Sequence, residues 1–303
     1  MSLTNKKLKE LKFSLEKALY FDLNWKVGEI KFFASGVVNA VFVIKEQNHG
    51  RLAVRVPWGT EGNTKDPASD RIISLYKEST IAKHCSKFNI PVPKVHKVYD
   101  SHDISFMVSD FISGDQTKIS AYDIGQLISK IHSIPVEGLS IIDQKDRLLS
   151  DIISNRIKER AYTLSKIIDS EIIIPGSEEM KAILDTSKIG NRLLHLDVRP
   201  PNIIGQNGVI KAIIDWDNAF IGNPIMELMR ISESKEIDED DFLRGYKNAG
   251  MIENTNVLIQ LIYRLDTALM LAILFSLYVK DSDKRDYYIR RVKFLCEEIC
   301  NKV

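Results

Sequence analysis

A chain of 303 residues with 44% apolar and 27% charged side chains has room for one large domain or two lobes with buried cores, which excludes a disordered polymer. Lys plus Arg (42) nearly cancels Asp plus Glu (41), so no global field favours nucleic acid or an anionic membrane surface. Cys85, Cys296 and Cys300 are too few and too scattered for a disulfide framework or a zinc site.

The opening stretch, MSLTNKKLKELKF, carries charge and no apolar h-region, so no secretory signal is expected. WKVGEIKFFAS (25–35) and VVNAVFVIK (37–45) are rich in β-branched and aromatic residues and predict strands around an SG turn. RLAVRVPW (51–58) predicts a third strand. Asp66 before Pro67 is a good helix start, with the acid at the N-cap and proline in the first turn. The helix then runs through IISLYKESTIAKHCSKF (72–88) and stops at IPVP, because proline cannot continue it. KVHKVYD (94–100) and ISFMVSDFI (104–112) predict a second pair of strands.

Beyond residue 113 the pattern changes. Ile124, Leu127, Ile128 and Ile131 fall at helical spacing, and helices dominate from there, around 223–232, 240–249, 254–280 and 284–300. The last of these puts Cys296 and Cys300 on one face. TALMLAILFSLYV (267–279) is too short to span a bilayer and predicts a buried helix of a cytoplasmic protein. One segment interrupts the helices: HLDVRPPNIIGQNGVIKAIIDWD (195–217), in which NII and VIKAIID read as a hairpin around GQNG. The expected division is a β-rich lobe, 1–112, and a helical lobe, 113–303, with a cleft at their junction, where ligands often bind.

The polar residues of 195–217 suit one kind of chemistry. Two prolines between Asp197 and Asn202 predict a stiff loop. Asp215 ends an apolar strand. A carboxylate and an amide oxygen so placed suit Mg²⁺, a hard ion that takes few protein ligands beside phosphate oxygens. Asp197 is then left to orient and deprotonate a hydroxyl, which matches the division of roles in phosphoryl transfer.

With HLDVRPPN, IDW and GNPIMEL in this order, the chain resembles the aminoglycoside phosphotransferase and choline kinase-like family. The family's usual patterns there are HGD, four residues and N; IDW or IDF; and GDPxxDL. The likeness extends upstream to FASGVVNAVFVI, LAVRVP, KESTIAKHCSKFNIPVPKV, FMVSDFISGD and GQLISKIHSIP, covering residues 25 to 232. It implies an α+β, protein-kinase-like bilobal fold with a small antiparallel β-rich N-lobe and a larger, mainly helical C-lobe. The implied activity moves the γ-phosphoryl of ATP (or GTP), with Mg²⁺, to a small hydroxyl acceptor: an aminoglycoside or related antibiotic, choline, an amino acid or a sugar. No nucleic-acid or membrane partner is implied, and oligomeric state is not legible.

Site roles follow from the same resemblance. Asp197 is the base. Arg199 stabilises the transferring group. Asn202 and Asp215 hold the metal. Arg55 contacts phosphate with Glu78 as its ion-pair partner, and Ser35 and Gly36 offer backbone N–H groups to phosphates. Arg55 replaces a common Lys, Leu196 a usual Gly, and Asn223 an Asp. Plainer readings stand beside these: a surface ion pair for Arg55 and Glu78, a simple turn for SG, backbone bonding for His195, packing or capping for His132. Asp217 reads equally as a group near the metal and as a polar residue after a strand. SESKEIDEDD (232–241) reads as an acidic helix start or as an acidic rim. The acceptor pocket is expected within 230–280, where Tyr246, Tyr263 and Asp266 are candidates for lining it or for core and surface roles. A nucleotide-binding pseudokinase without transfer is the rival reading, with a protein kinase as a third.

Overall fold

In the computed structural model of the protein, residues 3–36, 38–58, 71–141, 144 and 147–302 are described. The expected helix start at Asp66 and Pro67 lies outside them. The strands are β1 (Lys31–Ser35), β2 (Asn39–Glu46), β3 (Gly50–Pro57), β4 (Val95–Asp100), β5 (Ser105–Asp110), β6 (Arg192–Leu194), β7 (Ile203–Gln206), β8 (Val209–Ile213) and β9 (Phe220–Gly222). The helices are α1 (Asn5–Lys17), α2 (Arg71–Lys87), α3 (Ala121–Ile131), α4 (Leu149–Ile168), α5 (Ser177–Asp185), α6 (Pro224–Ser234), α7 (Glu239–Gly245), α8 (Val257–Leu277) and α9 (Ser282–Cys300).

These elements form two compact units, which divide the chain differently from a single cut at 112/113. The first comprises Met1–Lys118, Gly138–Asp143 and Pro201–Asp217; the second comprises Ile119–Glu137, Gln144–Pro200 and Asn218–Val303. The reason for the difference is the β7–β8 hairpin, which bonds to the first unit. Ile213 N–H donates to the Pro91 carbonyl at 2.8 Å, and Asp115 N–H to that of Gly205 at 2.9 Å. Asn207 N–H closes the link on Asp115 Oδ2 at 2.9 Å.

In the first unit the sheet order is β1-β2-β3-β5-β4, antiparallel throughout. Alternation along the strands sorts the side chains by face. Phe42, Ile44, Leu52, Val54 and Val56 are buried and pack with Leu11 and Leu15 of α1. That amphipathic helix, with Leu8, Leu11 and Leu15 on one side and Thr4 capping it through Lys7 N–H, was not anticipated. Arg55 alternates with Val54 and Val56 and so leaves β3 on the other face.

In the second unit, α8 is the core helix. It packs on α4, α6 and α9, and Leu265, Ala268, Leu269 and Ala272 are buried. Among the described residues it alone is long and apolar enough to cross a membrane, yet it carries a buried Asp266 bonded to arginine. It is a 21-residue helix, longer than its purely apolar stretch suggests. Helices α3 and α7 touch backbone to backbone: a Cβ on Gly125 would lie 2.1 Å from the Phe242 carbonyl oxygen, and one on Gly245 2.0 Å from that of Tyr122. No side chain fits at either position. The acidic stretch 232–241 divides between a buried Glu233 and the start of α7, where Asp238 caps Asp241 N–H at 2.9 Å. Of the two cysteines on α9, Cys296 is buried and Cys300 exposed.

Candidate active site

The first unit gathers charge around Arg55. The guanidinium on β3 donates through Nη1 to Glu78 Oε2 of α2, and through Nη2 to Asp215 Oδ1 at 3.0 Å and to Asp217 Oδ2. Ser74, on α2 one helical turn before Glu78, donates its hydroxyl to Asp217 Oδ1. Asn39 Nδ2, at the start of β2, reaches Asp217 Oδ2 at 3.3 Å. One planar fork thus serves three carboxylates, a task for which a lysine ammonium has the wrong shape.

The pairing is no surface ornament. The Arg55 side chain is 12% exposed and that of Glu78 10%. Burial pushes the Glu78 carboxyl up to about 8; Arg55 opposes this, and the neighbouring charges of Asp217 and Asp215 reinforce it. For Arg55 burial pulls down, but Asp217, Glu78 and Asp215 together outweigh it and raise the guanidinium above its ordinary value. Even with the proton retained on Glu78, Asp215 and Asp217 on one base leave a surplus of negative charge. Oxygen donors with such a surplus fit a hard divalent cation.

The hairpin sets Asn202 beside Ile214, the residue before Asp215. Ile203 pairs with Ile213 at its open end, which puts the residues just outside that pair side by side. Ile214 N–H donates to the Asn202 carbonyl at 3.0 Å. Asn207 and Gly208 turn the other end with φ of 54° and 72°, as a two-residue hairpin loop requires. Asp215 itself takes φ 68°, a left-handed twist that short acidic side chains tolerate better than most.

Asp197 belongs to the second unit. Its side chain is 22% exposed and accepts Arg199 Nε at 3.2 Å. The loop leading into it hangs on a single carboxylate. Glu227 of α6, fully buried, accepts the N–H of His195 at 3.0 Å through Oε2 and that of Leu196 through Oε1. The same Oε2 meets His132 Nε2 at 2.8 Å, and His132 Nδ1 meets the Tyr246 hydroxyl at 2.7 Å. Burial pushes the Glu227 carboxyl upward, yet the bonds from His132 and His195 more than offset it and hold the group below its ordinary value. Asp197 N–H donates to His195 Nδ1 at 3.2 Å, which makes the histidine a loop brace, as expected. Leu196 sits at φ 56°, in the region where the family's usual glycine would be relaxed. Its side chain is 2% exposed, so core packing offsets the twist.

The expected site residues therefore fall into two groups: Arg55, Glu78, Asn202 and Asp215 in the first unit, Asp197 and Arg199 in the second. Ser35 and Gly36 join neither among the described residues. Gly36 N–H donates to the Asn39 carbonyl at 2.8 Å, closing the β1–β2 hairpin, and so is not free for phosphate here. A Cβ there would meet nothing within 4 Å. Sequence reasoning left Asp217 undecided and missed Ser74, Asn39, His132 and Glu227 as site supports. Only Glu227 had a signal, as the acid of GNPIMEL. Tyr246, Tyr263 and Asp266 are all buried.

The model of the "Phosphotransferase enzyme family" matches residues 29–254. No curated protein matches the chain. Among solved structures it is similar to an aminoglycoside phosphotransferase in ternary complex with AMP-PNP and hygromycin B, at 16% identity, 94% of this chain, 97% of that one and a TM-score of 0.65. An ethanolamine kinase from Plasmodium vivax matches at 14% identity, 99% of this chain, 91% of that one and a TM-score of 0.62. An ADP-bound aminoglycoside phosphotransferase of another type follows at 18% identity, 95% and 96% coverage and a TM-score of 0.58. The shared fold is the kinase-like one, an antiparallel sheet region followed by a helical region.

Proposed function

The chain belongs to the phosphotransferase enzyme family, and on that premise we propose that it moves the γ-phosphoryl group of ATP (or GTP) to a hydroxyl of a small molecule in the cytoplasm. The observation that carries this reading is the Arg55 fork, bound at once to Glu78, Asp215 and Asp217. A guanidinium has five N–H donors, so it keeps some for phosphate oxygens while the carboxylates fix its plane. Glu78 and Asp217 orient it; Ser74 and Asn39 hold Asp217 in turn.

Asn202 and Asp215 would hold Mg²⁺, which when bound neutralises phosphate charge. Asp197 takes the proton from the acceptor hydroxyl as that oxygen forms its bond to the γ-phosphorus. The bond from that phosphorus to the β–γ bridging oxygen breaks, and the nucleoside diphosphate leaves with the bond's electron pair. Arg199, beside Asp197, offers positive charge to the group in flight. Glu227 performs no chemistry; it fixes the backbone before Asp197, so the base is already aimed when the acceptor arrives. Neighbouring structures hold hygromycin B or bear the name of ethanolamine. An aminoglycoside, an amino alcohol of the choline type, an amino acid and a sugar derivative are the acceptor classes to screen.

The test incubates the protein with Mg-ATP and a panel of such hydroxyl compounds and follows the phosphorylated product by mass. Asp197→Ala should lower transfer by about 10²- to 10⁴-fold while nucleotide binding persists. Nucleotide binding with no acceptor turned over by the wild type would instead mark a pseudokinase and end this proposal.

A further inference from the structure

The second unit contains an ionic cluster built on one buried carboxylate and, on α6, a further buried guanidinium. Asp266 of α8 is 0% exposed. It accepts Arg156 Nε and Nη2, from α4, at 2.9 and 2.6 Å, and Arg160 Nη1 at 2.7 Å. A third guanidinium, Arg230 of α6, is 9% exposed. The charges facing it are Asp197, Asp266 and Glu227, with Arg156 opposing. Among the described residues its guanidinium makes no hydrogen bond. Its nitrogens are not among the atoms sealed from solvent without a partner, so they keep a path to water.

The acids of α6 are bonded elsewhere. Glu227 is engaged by two backbone N–H groups and His132. Glu233 is engaged by Arg264 and Arg291. A buried guanidinium cannot shed its proton to escape the cost of desolvation. Burial pulls the group below the usual arginine range, and Asp197 and Asp266 restore only part of that. Left without an acceptor, it is a donor set awaiting oxygens from outside, and it lies one turn along α6 from Glu227, which holds the loop before Asp197.

Resting on the phosphotransferase reading above, we infer that the acceptor is an anionic alcohol, a small molecule bearing a hydroxyl together with a carboxylate or phosphate ester, and that Arg230 binds its anionic group. Arginine suits both by its planar fork. A polycationic acceptor would bring ammonium groups against the unbonded Arg230 guanidinium, and like charges in a partly dry site repel strongly.

The experiment compares matched acceptors: glycerol, glycerate, glycerol 3-phosphate, ethanolamine and an aminoglycoside, each with Mg-ATP, on wild type, Arg230→Met and Arg230→Lys. The expected result is preferred turnover of glycerate or glycerol 3-phosphate, the winner identifying carboxylate or phosphate. Arg230→Met should raise KM for that acceptor about 10- to 100-fold, with Arg230→Lys in between and the glycerol rate unchanged. Preference for ethanolamine or the aminoglycoside overturns the inference and leaves the kinase reading intact. An equal loss of kcat on every acceptor in Arg230→Met also overturns it, because Arg230 would then serve the phosphoryl group and not the acceptor's anion. If no acceptor turns over, the kinase reading fails and binding decides this one. Malonate or glycerol 3-phosphate should raise the melting temperature of wild type and not of Arg230→Met; no shift overturns it. Folding is no obstacle to that variant. Replacing a desolvated charge by an apolar chain should raise its melting temperature in the absence of anion, whereas a purely structural arginine would give a fall.

Discussion

Two clusters of buried charge, one in each unit, are built from the same residue types in inverted proportion. Around Arg55 one guanidinium serves Glu78, Asp215 and Asp217. Around Asp266 one carboxylate serves Arg156 and Arg160, with Arg230 close by and unbonded. A cluster made only for stability would balance its charges, because an unpaired buried ion costs more than its neighbours return. The bonding instead suggests what each cluster receives: a divalent cation beside the three carboxylates, an anion at the unbonded Arg230.

The comparison breaks most visibly at its two hubs. Asp266→Asn removes the bonded carboxylate of the basic cluster and should lower the unfolding free energy by about 3–5 kcal/mol, read by urea denaturation. Added malonate should recover part of that loss. Asp266 also gives this contribution a pH signature. Burial raises its carboxyl, but Arg156 and Arg160 outweigh that and hold it below the ordinary value of 3.8. Its stabilisation is therefore complete above pH 3.8 and disappears as pH falls through the lower folded value, so the variant should show a flatter acid limb.

Arg55→Met is the mirror experiment and should be milder, about 1–3 kcal/mol, because Asp215 and Asp217 are 37% and 26% exposed and water relieves them. Here Mg²⁺, and not an anion, should restore the melting temperature, and Asp215→Asn should abolish that response. Equal rescue by both kinds of ion in both variants would erase the distinction. Ser74→Ala sharpens the comparison from the small end. It deletes one hydroxyl from Asp217, should cost about 1 kcal/mol, and should show mainly as a higher KM for the nucleotide.

Legibility in the sequence followed the range of the physics involved. Richness in β-branched and aromatic residues marked β2, and GQNG marked the β7–β8 turn, because both signals lie within a few residues. Asp197, Asn202 and Asp215 were singled out by spacing, and Arg55 and Glu78 by the family resemblance; of these the structure bonds Arg55 to Glu78 and Asp215. The attachment of the hairpin to the first unit was not, since it rests on backbone bonds to Pro91 and Asp115 that have no side-chain signature. Helix α1 was passed over because its apolar stripe of three leucines is thin among lysines. Asp217, Ser74 and Asn39 converge from segments 143 and 178 residues apart, a distance no local pattern spans. The phosphate role expected of Gly36 met a competitor, the hairpin's own carbonyl at Asn39.

Helix α6 carries Glu227 and Arg230 three residues apart, hence on neighbouring positions of one flank. By the readings above, a single rod both suspends the loop before the base and samples the incoming acid. Drift of that rod by a fraction of an ångström would misaim proton removal and substrate choice together. Laboratory evolution toward new acceptors should therefore leave α6 untouched and recruit its changes from the helices that face it.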